Sequence, residues 1–277
     1  MNNTKKFLSL FVVVICALSL ASIAMAAGVG GPFEIDNVPN IVGISAGMLP
    51  DYVGSDDYTA GGAPFFRWTF AGQQRYVQLL TTELSLNLVN HPNFALGPVL
   101  NYRFGRTDDV DDRVVQEMEE IDDTVEAGIF ASYTWKLDPK NPRHRFIIGG
   151  EFLGDVGGEY SGWVALASAR YWIPISRPID LLFGVGTTYG NSQYMNKYFG
   201  VDTIDAANTG LSHFKADGGF RDVNATFSAV FHFSESWHLG AGVKYFGLMS
   251  DASDSPIVDD RGSSNQWVYG LGLAYSW

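Results

Sequence analysis

Trp267-Val268-Tyr269-Gly270-Leu271-Gly272-Leu273-Ala274-Tyr275-Ser276-Trp277 decides how the rest of the chain is read. Every second residue is large and apolar: Trp267, Tyr269, Leu271, Leu273, Tyr275 and Trp277. Those between are small: Val268, Gly270, Gly272, Ala274 and Ser276. Strict alternation is the period of a strand, whose successive side chains point to opposite faces. One face is therefore greasy and aromatic-ended, and the other small and slightly polar.

Working outward, the opposite end of the chain gives this strand a context. Lys5 and Lys6, the apolar run Phe7–Ala21 and Ala24-Met25-Ala26 have the order of a secretory signal. The expected division is a leader over residues 1–26, removed, and one domain over residues 27–277. The apolar run is shorter than the roughly 20 residues that a spanning helix requires. Cys16, the single cysteine, falls within the leader, which leaves no thiol, disulfide or cysteine-bound metal in residues 27–277. In a secreted chain, a last strand closing on an aromatic ring resembles the C-terminal signal read by the assembly machinery of outer-membrane barrels.

Without Lys5 and Lys6, 16 basic residues face 30 acidic ones, a net charge of about −14. Nucleic acid is excluded as a partner, because phosphate binding requires basic patches. No later segment is long and apolar enough to span as a helix, yet alternating segments separated by polar loops recur throughout. In lipid the backbone must satisfy itself, so such a chain crosses only as a closed barrel. The expected fold is all-β, an antiparallel transmembrane barrel in the outer membrane of a Gram-negative bacterium.

The alternating segments are Ile41–Met48, Ala63–Phe70, Arg75–Asn90, Phe94–Gly105, Val125–Trp135, Phe146–Phe152, Trp163–Ile173, Ile179–Tyr189, Val223–Phe233, Trp237–Leu248 and the final stretch. Gly28–Asn40 reads as a lead-in. In Arg75–Asn90, Leu80, Leu84, Leu86 and Leu88 share one register. The count is eleven, whereas single-chain bacterial barrels have even numbers. Twelve is the expected number and ten the alternative, with either a miscount before Gly105 or a weak strand hidden in a loop. Counted from the C-terminus, Arg106–Asp123 lies outside the cell; counted from the N-terminus, it lies in the periplasm. The inward faces carry Arg67, Arg103, Arg170 and Lys244 with Glu83, Glu126, Glu151, Asp180 and Asp222, a near balance that predicts a polar, salt-bridged lumen. Trp68, Tyr102, Trp135, Trp163, Trp172, Trp237 and Trp267 fall near strand ends and read as interfacial girdles.

Chemical motifs are sparse. Asp108-Asp109-Val110-Asp111-Asp112 invites a calcium reading, but Arg113 and the missing glycine break the loop pattern. A solvated acidic loop is expected, the alternative being weak divalent-ion binding that bridges lipopolysaccharide phosphates. His91, His144, His213, His232 and His238 lack metal-ligand spacing. His232 and His238 flank one turn, with no serine or acid pair evident beside them. There is no nucleophile elbow or phosphate loop. The chain is expected to be no enzyme and to carry no cofactor or metal.

Several loop segments, in colinear order, resemble the MltA-interacting protein (MipA/OmpV) family. They are Met48–Tyr58 with Tyr52, Gly54 and Ser55; Asp108, Asp109, Asp111 and Asp112 followed by Ile121–Gly128; Tyr198-Phe199-Gly200-Val201 and Thr209-Gly210-Leu211; and Ser250–Val258 with Asp254, Ser255 and Pro256. Trp277 departs from the phenylalanine commoner at the end of such chains, but keeps an aromatic ring. The resemblance implies an outer-membrane barrel that acts as a scaffold or interaction protein. Its implied partners are a murein transglycosylase and a penicillin-binding protein, beside membrane lipid, lipopolysaccharide and the barrel-assembly machinery. The alternatives are a narrow passive channel for small solutes, or a surface adhesin or osmotic-response protein. Because the resemblance sits in loops rather than strands, those loop residues are the interaction candidates. Their aromatics and turn formers could instead fold the loops, with Tyr52 and Phe199 plugging the barrel mouth.

Overall fold

The computed structural model describes residues 40–277. The expected leader, its cleavage site, Cys16 and the lead-in as far as residue 39 lie outside the described residues. Twelve antiparallel strands close on themselves, each pairing with its sequence neighbours and β1 with β12. They are β1 (Asn40–Pro50), β2 (Tyr58–Thr69), β3 (Tyr76–Leu80), β4 (Glu83–Asn87), β5 (Phe94–Arg103), β6 (Thr124–Lys136), β7 (Arg145–Asp155), β8 (Trp163–Pro174), β9 (Ile179–Gly190), β10 (Gly219–His232), β11 (Trp237–Leu248) and β12 (Asn265–Ser276). Four helices, α1 (Ser192–Phe199), α2 (Thr203–Thr209), α3 (Asp251–Asp254) and α4 (Pro256–Asp259), and a 3-10 turn (Val115–Glu117) sit in loops. Among the described residues no helix is long and apolar enough to cross a membrane.

The final stretch is the closing strand. β12 pairs with β11 from Asn265 to Tyr275 and with β1 from Tyr269 to Ser276. Its alternation holds: Trp267, Tyr269, Leu271, Leu273 and Tyr275 are exposed on the outside, while Val268 and Ala274 are buried on the lumen side. Outward-facing Ile44, Leu96, Ile129, Ile148, Phe183, Val185 and Phe227 continue the apolar belt. An apolar exterior facing lipid is what a membrane barrel requires.

Twelve strands are present because Arg75–Asn90, read as a single crossing, is a hairpin. Tyr76–Leu80 pairs back on Glu83–Asn87 across Thr81-Thr82. Thr81 takes a positive φ of 57°, a conformation usually marked by Gly or Asn. Neither is present, so the turn carried no signal. The two turn residues also reverse the face of Leu80, which packs inward against Ile41, Phe65 and Ala274. Leu84 and Leu88 remain on the exposed side.

With an even count, both ends of the described chain lie at one end of the barrel. That end has the short connections 70–75, 88–93, 137–144, 175–178 and 233–236; connections 104–123, 191–218 and 249–264 lie at the other. Short turns are periplasmic and long loops extracellular in outer-membrane barrels. Arg106–Asp123 therefore belongs to the exterior end, as the count from the C-terminus has it. One girdle residue is corrected. Trp172 is 5% exposed, turned into the lumen, where its indole N–H donates to Asp180 at 2.9 Å. Trp68, Trp135, Trp237 and Trp267 are exposed on the outer surface.

Candidate functional site: the capped end

The exterior loops build a lid whose apolar core is continuous with inward-facing wall residues such as Val99, Phe130 and Phe246. Asn191 caps α1 by accepting from the Tyr194 N–H at 3.2 Å. Asp202 caps α2 by accepting from the Ile204 and Asp205 amides at 2.7 and 2.9 Å. Ser255 accepts from the Ile257 amide at the start of α4, and its hydroxyl donates to the Phe199 carbonyl at 2.6 Å. Such caps satisfy amides that a helix start leaves open. They hold Tyr194, Met195, Tyr198 and Phe199 of α1 in a cluster that includes Val53, Tyr160, Ala252 and Val258. Tyr52, Val110, Val115, Met118, Val201 and Ile257 form a second cluster beside it. Gly54 turns the first loop at a φ of +107°, and a Cβ there would lie 2.6 Å from Val258 Cγ2.

Beneath the lid a buried polar layer ties it to the wall. Arg103 grips Glu126 through two bonds of 2.7 and 3.0 Å, and Asn101 and the Tyr160 hydroxyl also donate to Glu126. Arg221 donates to Asp222 and, at 2.6 Å, to the Tyr194 hydroxyl. Glu126 and Asp222 are both 0% exposed. Buried charges persist when paired and hydrogen-bonded, and removing one partner strands the other. Arg67, Arg103, Glu126, Asp180 and Asp222 are buried, and Glu83, Glu151, Arg170 and Lys244 line an interior cavity. The nine expected lumen charges thus face inward. Arg221 was missed because a bulge between Phe220 and Asp222 breaks the alternation. A bulge inserts an extra residue, and Arg221 and Asp222 both become buried.

The loop residues singled out in the sequence divide in two. Tyr52, Gly54, Ser55, Tyr198, Phe199, Gly200, Ser255 and Pro256 are buried within the lid. Asp108, Asp109, Asp111 and Asp254 are exposed. Asp112 is not the free carboxylate of a solvated loop. It accepts from Arg261 at 2.6 Å and from the Val114 and Val115 amides at 2.8 and 2.9 Å. Burial alone would raise its carboxyl, but the Arg261 bond and the two amides outweigh it and hold the group below the usual carboxylate range. Asp51 is raised by burial and by Asp111, Asp109 and Asp57, against an amide bond from Asp111. Burial pushes the Tyr52 phenol well up, helped by the Asp112 charge. Among the described residues, the acidic trio able to converge on a cation is Glu119, Asp202 and Asp205 rather than the Asp108–Asp112 run.

A second constellation lies at the short-turn end, and it overturns the reading of the histidines. Asp180 Oδ2 and His232 Nε2 are 3.0 Å apart, His232 Nδ1 and His238 Nδ1 2.8 Å, and His238 Nε2 and Ser276 Oγ 2.7 Å. The ring nitrogens donate or accept according to tautomer, and the geometry accommodates a relay in which Ser276 donates to His238, His238 to His232, and His232 to Asp180. Arg143 and Trp172 complete the carboxylate shell at 2.9 Å each. Serine, base and orienting group stand in the order of a nucleophilic triad. However, the Ser276 and Trp277 amides are spent on the Ser236 and Asn40 carbonyls, leaving neither to stabilise an oxyanion. The chain works as a clasp linking β9, β10, β11 and β12. Pairing His232 with His238 across the hairpin would have exposed half of it in the sequence; Asp180 and Ser276 come from strands further away.

An apolar outer belt, a polar interior and short turns opposite long loops define an outer-membrane β-barrel protein. The profile of the family described as MltA-interacting protein MipA matches residues 42–277. The chain belongs to that family. It is 32% identical over 124 residues to outer membrane protein Omp26La of Vibrio anguillarum, a match covering 45% of this chain and 46% of that one. It is 35% identical over 96 residues to outer membrane protein OmpV of Vibrio cholerae, covering 35% of each. The matched region spans less than half the length of either relative. Among solved structures, the NanC porin superposes with a TM-score of 0.51 at 9% identity, covering 85% of this chain and all of that one. That likeness concerns the fold.

Proposed function

We propose that the protein is a non-enzymatic interaction protein of the outer membrane that binds through its capped, exterior face. The observation that carries this is the lid: the loops are packed into a fixed body instead of standing around an open mouth. Loops that only gated a passive pore would not need Phe199 and Val201 at 0% exposure. The exposed aspartates Asp108, Asp109, Asp111 and Asp254 are the contact candidates, and they suit a surface ligand or host-side protein. A murein transglycosylase or penicillin-binding protein, the partners implied by the family resemblance, would have to meet the short periplasmic turns instead. A channel reading is weakened by the same lid.

Residues 27–277 contain no cysteine, so single-cysteine variants report cleanly. Asp111→Cys should react in intact cells with an impermeant thiol reagent, while Lys140→Cys should react only after lysis. Protection of position 111 in intact cells would reverse the orientation and transfer the bet to a periplasmic scaffold. Stepwise conductance from the purified protein in planar bilayers would replace this reading with the channel.

A further inference from the structure

The hairpin β3–β4 is too short to complete the barrel wall. Each strand has five residues, where its neighbours β2 and β5 have twelve and ten. Five residues extend roughly 17 Å along a strand, and a tilt of 35–45° reduces that to a height of roughly 13 Å. The apolar band of an outer-membrane barrel is about 25 Å tall. The foot of the hairpin is at the periplasmic interface, since Trp68 pairs with Val77 and its ring packs 5.9 Å from that of Trp277. The tip, Thr81-Thr82, therefore stops near mid-membrane, in the half of the wall facing the outer leaflet.

Pairing describes the resulting gap independently. β2 pairs with β1 from Tyr58 to Trp68, but with β3 only from Phe65 to Thr69. Among the described residues, nothing pairs with Tyr58–Pro64 on the side away from β1. That edge reads Ala60-Gly61-Gly62-Ala63-Pro64; proline is confined to unpaired edges, and small residues permit close approach to a backbone. On the far side, β5 ends at Arg103 and Phe104 follows. Two strands are missing across the upper gap, which is therefore roughly 14 Å between strand axes. An open edge is not tolerated bare in hydrocarbon, where unpaired amides have no partner. Unpaired backbone groups along the gap give a polar head a hydrogen-bonded way through it that plain hydrocarbon lacks.

The interior cavity reaches the hairpin tip and the β5 side of the gap. A space of about 230 Å³ reaches from Leu80, Thr81, Thr82, Tyr102 and Phe104 across the lumen to Arg170 and Lys244. It is small beside the 300–1,000 Å³ of pockets that enclose a whole drug-sized ligand, and its walls mix hydroxyls, amides and charges of both signs. We propose that this is a lateral portal for a single-chain amphiphile, which places a small polar head in the cavity and leaves its alkyl chain in the outer leaflet. The lid then has a second consequence: it shuts the vertical route and makes the membrane the source of the ligand. This site is separate from the exterior contact face proposed above, and neither depends on the other.

Two measurements on the folded protein in phosphatidylcholine vesicles test the portal. A nitroxide on Thr82→Cys should collide with oxygen far more than with a water-soluble nickel chelate, placing it deep in the bilayer. A depth at the headgroups would overturn the proposal. Palmitic acid carrying a diazirine beside its carboxylate should then crosslink to residues 58–64, 80–83 or 102–104 and to lumen positions. Thr82→Trp, which fills the portal, should abolish the lumen crosslinks while heat-modifiable mobility stays that of the wild type. Crosslinks confined to outward residues such as Leu84 and Leu96 would mean annular lipid contact only and would remove the portal.

Discussion

The two ends of this barrel solve opposite problems with the same chain. Connections 51–57, 104–123, 156–162, 191–218 and 249–264 at the capped end hold 20 acidic and five basic residues. Connections 70–75, 88–93, 137–144, 175–178 and 233–236 at the other hold two acidic and four basic. The capped end buries aromatics of several loops in a common core and shows aspartates to water. The short-turn end has little chain to bury, and is held by side-chain bonds running from strand to strand. The lesson is that the acidic net charge, which excludes nucleic acid for the whole molecule, is a property of one face. A field of one sign over one face steers cationic groups towards it and is screened by salt.

The largest effect expected is loss of both ends together. Deleting Trp267–Trp277 removes the partner of β1 and of β11, leaving two open edges that lipid does not tolerate. No heat-modifiable species should appear in the outer membrane. A truncated chain that still fractionates and shifts on heating would show that closure does not depend on this strand.

The next test separates the ends. Phe199, 0% exposed in the lid, has a counterpart in Phe233 at the short-turn end, which is 51% exposed. Phe199→Ala should destabilise the lid by about 3–5 kcal/mol, the usual result of emptying an aromatic site in a core. Proteolysis within 191–218 should accelerate and conductance should appear, with the barrel still heat-modifiable. Phe233→Ala should stay within about 0.5 kcal/mol. Equal sensitivity at the two positions would erase the distinction between a packed end and a clasped one.

How far the sequence foretold this follows from periodicity. Alternation is local, so β12, β10 and the inward charges were legible residue by residue. What was lost had no local signal. The Thr81-Thr82 turn lacks the residues that turns favour, and the bulge at Arg221 suspends the alternation on which the inward set was built. The lid is the larger case: Tyr52, Tyr198 and Phe199 stood out in the sequence as loop residues, but their packing joins loops far apart in the chain. Asp180 and Ser276 are 96 positions apart, and only closure of the sheet brings them onto His232 and His238.

At the clasp, Asp180→Asn keeps the shape but puts an NH2 donor in place of one carboxylate oxygen, facing donors from Arg143, Trp172 and His232. Leaving such groups unmatched costs about 1–3 kcal/mol. Thermal unfolding of the purified barrel should fall accordingly, with proteolysis of the lid unchanged. A lid that loosens with this substitution would show the two ends to be coupled, and the comparison would then describe one structure instead of two.

The smallest effect is a pH response confined to the capped end, and its sign reverses within the acid range. Asp51 is raised above its ordinary value, so its ionised form burdens the folded lid. That burden is lifted as the pH falls through the raised value. Asp112 is held below the ordinary value by Arg261 and two amides, so its contribution is complete above the unfolded carboxylate value of about 3.9 and is lost as the pH falls through the lower folded one. Acidification should therefore first slow proteolysis of residues 104–123 slightly, and then speed it. Asp51→Asn should flatten the first limb and Asp112→Asn the second, leaving the fast rate at all pH values. Because Arg261 is partly open to water and such pairs are screened, the second limb should shrink as salt is added. A response that is monotonic in pH, or one unaffected by Asp112→Asn, would mean that the lid is held by its apolar core alone.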